Sequence, residues 1–134
     1  MDSFSDVQQS FGRCLREHED FIGTFYDRFL KADTRIQPMF SKTDFGKQRR
    51  LLQRGISLAI TFAGTPSVAR RQLTEIAEIH ARKGRAPVDP ALYGIWIESL
   101  IHTVAEADPR FNEKLEQRWR QALDPAIDYI KGSY

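Results

Sequence analysis

The sequence contains a single cysteine, Cys14, in 134 residues, so no disulfide can form within the chain. It also lacks any long apolar run. The longest stretch without a charged side chain, Gly55 to Ala69, is fifteen residues and includes Thr61, Thr65, Pro66 and Ser67; a membrane span requires roughly 20 apolar residues, so none is expected. The opening MDSFSDVQQS has acids and no apolar core, which does not read as a secretory signal, and the expected location is the cytoplasm. Neither a G-x-G-x-x-G nor a P-loop occurs, which removes the two commonest nucleotide-phosphate cradles. An excess of one charge is missing as well: 20 basic against 18 acidic residues leave +2, with the bases of KQRR, ARRQ and HARKGR set among acids. A nucleic-acid-binding face concentrates Lys and Arg, so no nucleic-acid partner is expected.

What is present is a globular composition, 41% hydrophobic and 28% charged, in a chain long enough to bury roughly two-thirds of its unfolded surface around one core. A single domain over residues 1–134 is expected. Helical periodicity runs through nearly all of it, without strand alternation, repeats or low-complexity segments, and the fold class is all-α. Phe4, Val7, Phe11, Cys14 and Leu15 mark a first helix; Phe21, Ile22, Phe25, Tyr26, Phe29 and Leu30 mark a second, with a bend near His18 to Asp20. Pro38 predicts a corner. Phe45, Gln48, Leu52, Ile56, Ala59 and Ala63 form a long stripe that stops at Gly64-Thr65-Pro66, followed by a helix over Leu73 to His80. The stretch KGRAPVDP breaks the chain again; Asp89 and Pro90 read as the cap and first turn of a helix from about Ala91 that carries Tyr93, Trp96, Ile97, Leu100, Ile101 and Val104. The last helix carries Phe111 to Ile130, and Pro125 inside it predicts a kink or a split.

Three polar side chains sit on stripes that otherwise face the core: Tyr26, Gln48 and His80. A buried polar group without a partner costs roughly 1 to 3 kcal/mol, so each needs a reason. Taken singly, each has an ordinary one: a hydrogen-bonded structural histidine, a tyrosine whose hydroxyl reaches water, a glutamine at the edge of a stripe.

Taken together with their surroundings they are more specific. TFYDRFL, IQPMF, GKQRRLL, EIAEIHARKG and LYGIWIESLI follow one another in an order that resembles the globin domain of bacterial flavohaemoglobins and related single-domain bacterial haemoglobins, over nearly the whole chain. The resemblance implies a globin fold around a haem pocket. Tyr26 matches the tyrosine of the second globin helix that points at bound ligand. Phe40, fourteen residues on, matches the corner phenylalanine that packs on the porphyrin; Gln48 matches the distal glutamine and Leu52 the apolar distal residue one turn later; His80, 32 residues after Gln48, matches the proximal ligand of haem iron. Phe45 and Ile97 are expected to line the slot with Phe40 and Leu52. Tyr93 matches a tyrosine that joins a proximal network, although the loop ARKGRAPVDPAL before it is longer than usual for the family. With no C-x-x-C-H in the sequence, the implied cofactor is haem b, held without thioether bonds.

These roles are chemically apt. A neutral imidazole ligates haem iron with one nitrogen while the other is oriented by an acceptor, and a tyrosine hydroxyl and a glutamine amide are suitable donors to a ligand that carries partial negative charge. The function implied is reversible binding of dioxygen, with nitric oxide and carbon monoxide as further gas ligands, at a five-coordinate iron. Three readings stay open around it: nitric-oxide dioxygenation fed by a separate reductase, gas sensing through a signalling partner or an oligomer, and a haem-free interaction module. No reductase or output domain is recognisable, and a monomer or homodimer is expected. Arg82, Lys83 and Arg85 are read either as partners of the haem propionates or as solvated charge. His18 is expected to face water, His102 to lie at a helix edge, Cys14 to pack as a small hydrophobe, and Trp96 and Trp119 to be core or haem-flanking.

Overall fold

The computed structural model describes residues 3–134, and among them are six α-helices and no strand. α1 (Ser5–Glu17) and α2 (Phe21–Ala32) meet at the expected bend. His18 lies in it, half-buried, and its Nδ1 accepts from the Asp20 amide at 3.2 Å. Asp20 caps α2 by accepting from the Gly23 amide at 3.1 Å and pairs with Arg49 at 2.7 Å. Gly23 is what permits that arrangement: a Cβ there would stand 2.2 Å from the Asp20 carboxylate and 2.6 Å from the Arg49 guanidinium.

The corner predicted at Pro38 is a 3-10 turn, Gln37–Phe40, as suits a residue that has no amide to give a longer helix. α3 (Phe45–Gly64) begins at an Asp44 cap that accepts from the Lys47 amide. α4 (Pro66–His80) begins earlier than its apolar spacing showed, with proline in the first turn, where the missing N–H is free of consequence. Its opening turn exposes Pro66, Ser67 and Val68 and buries only Ala69, so the periodic signal starts at Leu73. α5 (Leu92–Ala107) has Ala91 as its N-cap and no side-chain cap, so Asp89 and Pro90 are not the cap and first turn that the sequence suggested; they form the turn before the helix, in which the Asp89 carboxylate accepts from the Ala91 amide at 2.9 Å and the Asp89 carbonyl from the Leu92 amide at 2.9 Å. α6 (Glu113–Gly132) runs through Pro125 without splitting. Pro125 and Gln121, whose carbonyl loses its helical partner, are both exposed, while Ala122, Leu123, Ala126 and Ile127 anchor the other face.

α2 packs on α5, and α3 on α4 and α6, around a core in which Phe21, Phe25, Ile56, Ile60, Leu100 and Trp119 are almost wholly buried. Cys14 packs in this core as expected, fully buried, and burial pushes its thiol up to about 12. The polar heart of the core was not apparent in the sequence. Asp108, at the end of α5, accepts from the Ser10 hydroxyl at 2.6 Å, from Arg13 at 2.7 and 2.9 Å, and from the Arg110 amide at 2.9 Å; the Trp119 ring N–H donates to Ser10 at 2.9 Å. Burial alone would raise the Asp108 carboxyl, but the hydrogen bonds from Arg13 and Ser10 outweigh it and hold the group below the usual carboxylate range. Trp119 is thus core, tying α6 to α1. No helix among the described residues is long and apolar enough to cross a membrane.

Candidate functional site

Tyr26 is the centre of an aromatic cluster built from three successive elements. Its ring meets Phe40 of the 3-10 turn edge-on at 5.9 Å and Phe45 of α3 edge-on at 5.6 Å, and those two phenylalanines stack on each other at 6.1 Å. Edge-to-face and offset geometries are the ones the ring quadrupoles favour, so the corner after α2 is held against α2 and the first turn of α3. That places Gln48, one turn into α3, beside Tyr26. Burial pushes the Tyr26 phenol above its ordinary value, and hydrogen bonding with the Gln48 side chain draws it back in part. Tyr26 therefore stays protonated, with its hydroxyl and the Gln48 amide at one spot. Leu52 follows one turn later on the same face of α3 and is half-buried.

His80 is the last residue of α4, and the local sequence explains how it is held. Its Nδ1 lies 3.1 Å from the Ala86 carbonyl oxygen. A carbonyl can only accept, so Nδ1 carries a proton, and in the neutral ring Nε2 is then the nitrogen with the lone pair. Ala86 reaches this position because the chain after α4 folds back on the helix end: the Gly84 amide donates to Ala81 at 2.8 Å, the Ala86 amide to Ile79 at 3.0 Å and the Val88 amide to His80 at 3.1 Å. A Cβ on Gly84 would stand 2.3 Å from the carbonyl oxygens of Glu78 and Ile79, so only glycine can pass so close. The spacing of residues in ARKGR gave no sign of this close approach.

On α5, Tyr93 is buried, and its hydroxyl has no hydrogen-bond partner among the described residues; burial pushes the phenol up to about 12. The proximal network that the family resemblance suggests for Tyr93, and that the long preceding loop puts in question, finds no acceptor for its hydroxyl among the described residues. Ile97, one turn on, is half-buried, as are Phe40, Phe45 and Leu52, although all four pack against the core. Trp96 packs edge-on against Phe25 at 5.8 Å.

The structure thus brings together Tyr26, Phe40, Phe45 and Gln48, and holds His80 through its own loop. Of the three bases after His80, Arg82 lies over the Tyr134 ring at 4.9 Å, while Lys83 and Arg85 are exposed. His102 is exposed on α5. No cluster of three or more His, Cys, Asp or Glu that could hold a bare metal ion occurs among the described residues. Three observations fit a flat apolar group ligated by one imidazole: a free Nε2 of fixed tautomer on His80, apolar side chains left half-covered on α3, α5 and the corner between α2 and α3, and an orphaned buried donor on Tyr93. Two hollows, of about 580 Å³ between α1 and α3 and about 430 Å³ between α2 and α5, share no residue with this cluster.

A family model described as Globin matches residues 23–130. A solved structure from Pseudomonas aeruginosa PAO1, described as structurally highly homologous to a human hemoglobin, superposes with a TM-score of 0.92 at 29% sequence identity, covering 99% of this chain and 98% of that one. No curated protein matches the chain.

Proposed function

This chain belongs to the globin family, whose members generally hold haem, and on that premise we propose that it binds haem b non-covalently through His80 and takes up dioxygen reversibly beside Tyr26 and Gln48, with nitric oxide and carbon monoxide as alternative ligands. The observation that carries this reading is the hydrogen bond of His80 Nδ1 to the Ala86 carbonyl, which leaves Nε2 as an unprotonated donor of fixed orientation. When bound, the haem iron supplies an open coordination position for a diatomic gas.

The remaining tasks fall to this chain's own residues. The Ala86 carbonyl holds the proton on Nδ1 and so keeps the imidazole in its ligating tautomer. Phe40, Phe45, Leu52 and Ile97 supply the apolar contact that covers a flat group and excludes water. The Tyr26 hydroxyl donates a hydrogen bond to a polar gas ligand, and the Gln48 amide both orients that hydroxyl and offers a second donor. A phenol is ordinarily protonated at physiological pH and burial shifts Tyr26 further in that direction, so it remains a donor there. Tyr93 offers one further buried donor on the α5 side.

The test is the absorption spectrum of the full chain loaded with haem, set against His80→Ala. A protoporphyrin spectrum typical of histidine ligation, lost or altered in the variant, is the expected result. A helical protein that remains colourless after haem supplementation would overturn the reading and favour a haem-free interaction module.

A further inference from the structure

The hydroxyl of Tyr93 is the one buried side-chain polar atom without a hydrogen-bond partner among the described residues. An unpaired buried donor costs stability, and phenylalanine would fill the same space without that cost, so the oxygen calls for a partner that the described residues do not supply. Tyr93, Trp96, Ile97 and Leu100 stand at helical spacing on one face of α5. Leu100 is fully buried at one end of that face, while Trp96 and Ile97 remain half-covered.

The neighbours of this face tie it to the site. The Tyr93 amide donates to the Pro90 carbonyl at 3.3 Å, and just before that proline the Val88 amide donates to the His80 carbonyl at 3.1 Å, so the start of α5 is held to the end of α4 that carries the imidazole. Trp96 packs edge-on against Phe25 at 5.8 Å, and Phe25 against Tyr26 at 5.3 Å, which joins the same face to the Tyr26 cluster. A haem held through His80 offers few acceptors to a donor placed here. Its ring nitrogens are bound to iron, one axial position belongs to His80, and the Tyr26 hydroxyl and Gln48 amide serve the other. What remains is the pair of propionate carboxylates. The bases after His80 leave that role open: Arg82 lies over the Tyr134 ring at 4.9 Å, and Lys83 and Arg85 are exposed, where water screens an ion pair.

We propose that the Tyr93 hydroxyl donates a hydrogen bond to a propionate carboxylate of the bound haem and so fixes how the ring is seated against α5. The inference rests on the haem reading above. A hydroxyl–carboxylate bond is charge-assisted and stronger than one between neutral groups, and the phenol, pushed up to about 12 by burial, keeps its proton. Tyr93 thereby finds its partner on the cofactor, in place of the proximal network that the family resemblance suggests.

The experiment compares full-length wild type with Tyr93→Phe, each loaded with haem or with haem dimethyl ester, whose propionates are esterified and uncharged, and measures transfer to an excess of a stronger haem-binding protein. Haem should leave the variant about ten- to a hundredfold faster than wild type, the order for one hydrogen bond to a charged acceptor, whereas the dimethyl ester should leave both at similar rates. The iron–histidine stretching frequency in the resonance Raman spectrum should be the same in both proteins. The haem-free variant should be no less stable to denaturant than haem-free wild type. Equal haem transfer from the two proteins would overturn the proposal, as would an equally large difference with the dimethyl ester. A shifted iron–histidine frequency in the variant would overturn it by assigning the hydroxyl to the His80 imidazole, and a less stable haem-free variant by giving the hydroxyl a partner within the protein. A wild type that takes up no haem would overturn the haem reading itself, and this inference with it.

Discussion

His80 Nδ1 and the carbonyl oxygen of Ala86, six residues on, stand 3.1 Å apart, and that contact orients the imidazole at the end of α4. It depends on a loop that folds directly onto the carbonyl end of α4, and the loop depends on Gly84.

Gly84→Ala should therefore disturb the site without unfolding the protein. The added Cβ, 2.3 Å from two carbonyl oxygens, forces the loop outward and takes Ala86 away from His80. Loss of such an orienting partner typically weakens a metal ligand about 10- to 100-fold. Haem transfer to an excess of a stronger haem-binding protein should accelerate by that order, while circular dichroism keeps the helical signal. An unchanged transfer rate would show that the Ala86 contact is dispensable.

Tyr26→Phe removes one hydroxyl and keeps the ring that packs on Phe40 and Phe45. A hydrogen bond to a partly charged acceptor contributes roughly 1.5 to 3 kcal/mol, or about ten- to a hundredfold in a dissociation equilibrium. Stopped-flow release of dioxygen should quicken by that factor, and release of carbon monoxide, a poor acceptor, should change much less. Gln48→Leu should act in the same direction but less strongly, and the double variant should be non-additive, because the two donors share one ligand and one another.

Asp108→Asn breaks the buried pair with Arg13 and should destabilise the fold by about 3 kcal/mol, the order found when one partner of a buried ion pair is removed. Chemical denaturation measures this directly, and the haem spectrum of the folded fraction should be unaffected. The sign of the pH dependence follows from the lowered Asp108 pKa. Its contribution is fully present above the ordinary carboxylate value of about 3.9 and is lost as pH falls through the depressed folded value. Wild type should accordingly lose stability in that acid range more steeply than Asp108→Asn.

Pro125→Ala restores an amide in the middle of α6 at an exposed position. Proline in a helix interior costs up to about 3 kcal/mol relative to alanine, so the variant should melt at a higher temperature. A lower melting temperature would mean that α6 is bent at Pro125 in a way its buried face requires.

The enzymatic reading is tested by stoichiometry. Purified chain carrying bound dioxygen and mixed with nitric oxide should consume one equivalent and stop, and a nicotinamide cofactor alone should not restart it, because the sequence contains no G-x-G-x-x-G or P-loop. Continued consumption with that cofactor as the sole reductant would contradict it.

Much of this site was legible before any coordinates. Tyr26, Gln48 and His80 are polar residues on apolar stripes, a local anomaly that helical periodicity exposes, and the quoted motifs place them in family order. The start of α4 was not legible, because its first turn is nearly all exposed and has no apolar rhythm. Nor was the Asp108 network, whose Ser10 and Asp108 are 98 residues apart, since nothing in either local sequence predicts that a serine and an aspartate will share a buried site.

The sequence by itself determined the helices, their order and the family, because these depend on spacing within a few turns and on motifs read in series. Only the tertiary structure decided that Gly84 lets Ala86 orient His80, that Tyr93 is buried without a partner among the described residues, and that Pro125 leaves α6 in one piece. Each of those facts is a distance between groups brought together by packing, and packing is a property of the whole chain that no local pattern encodes.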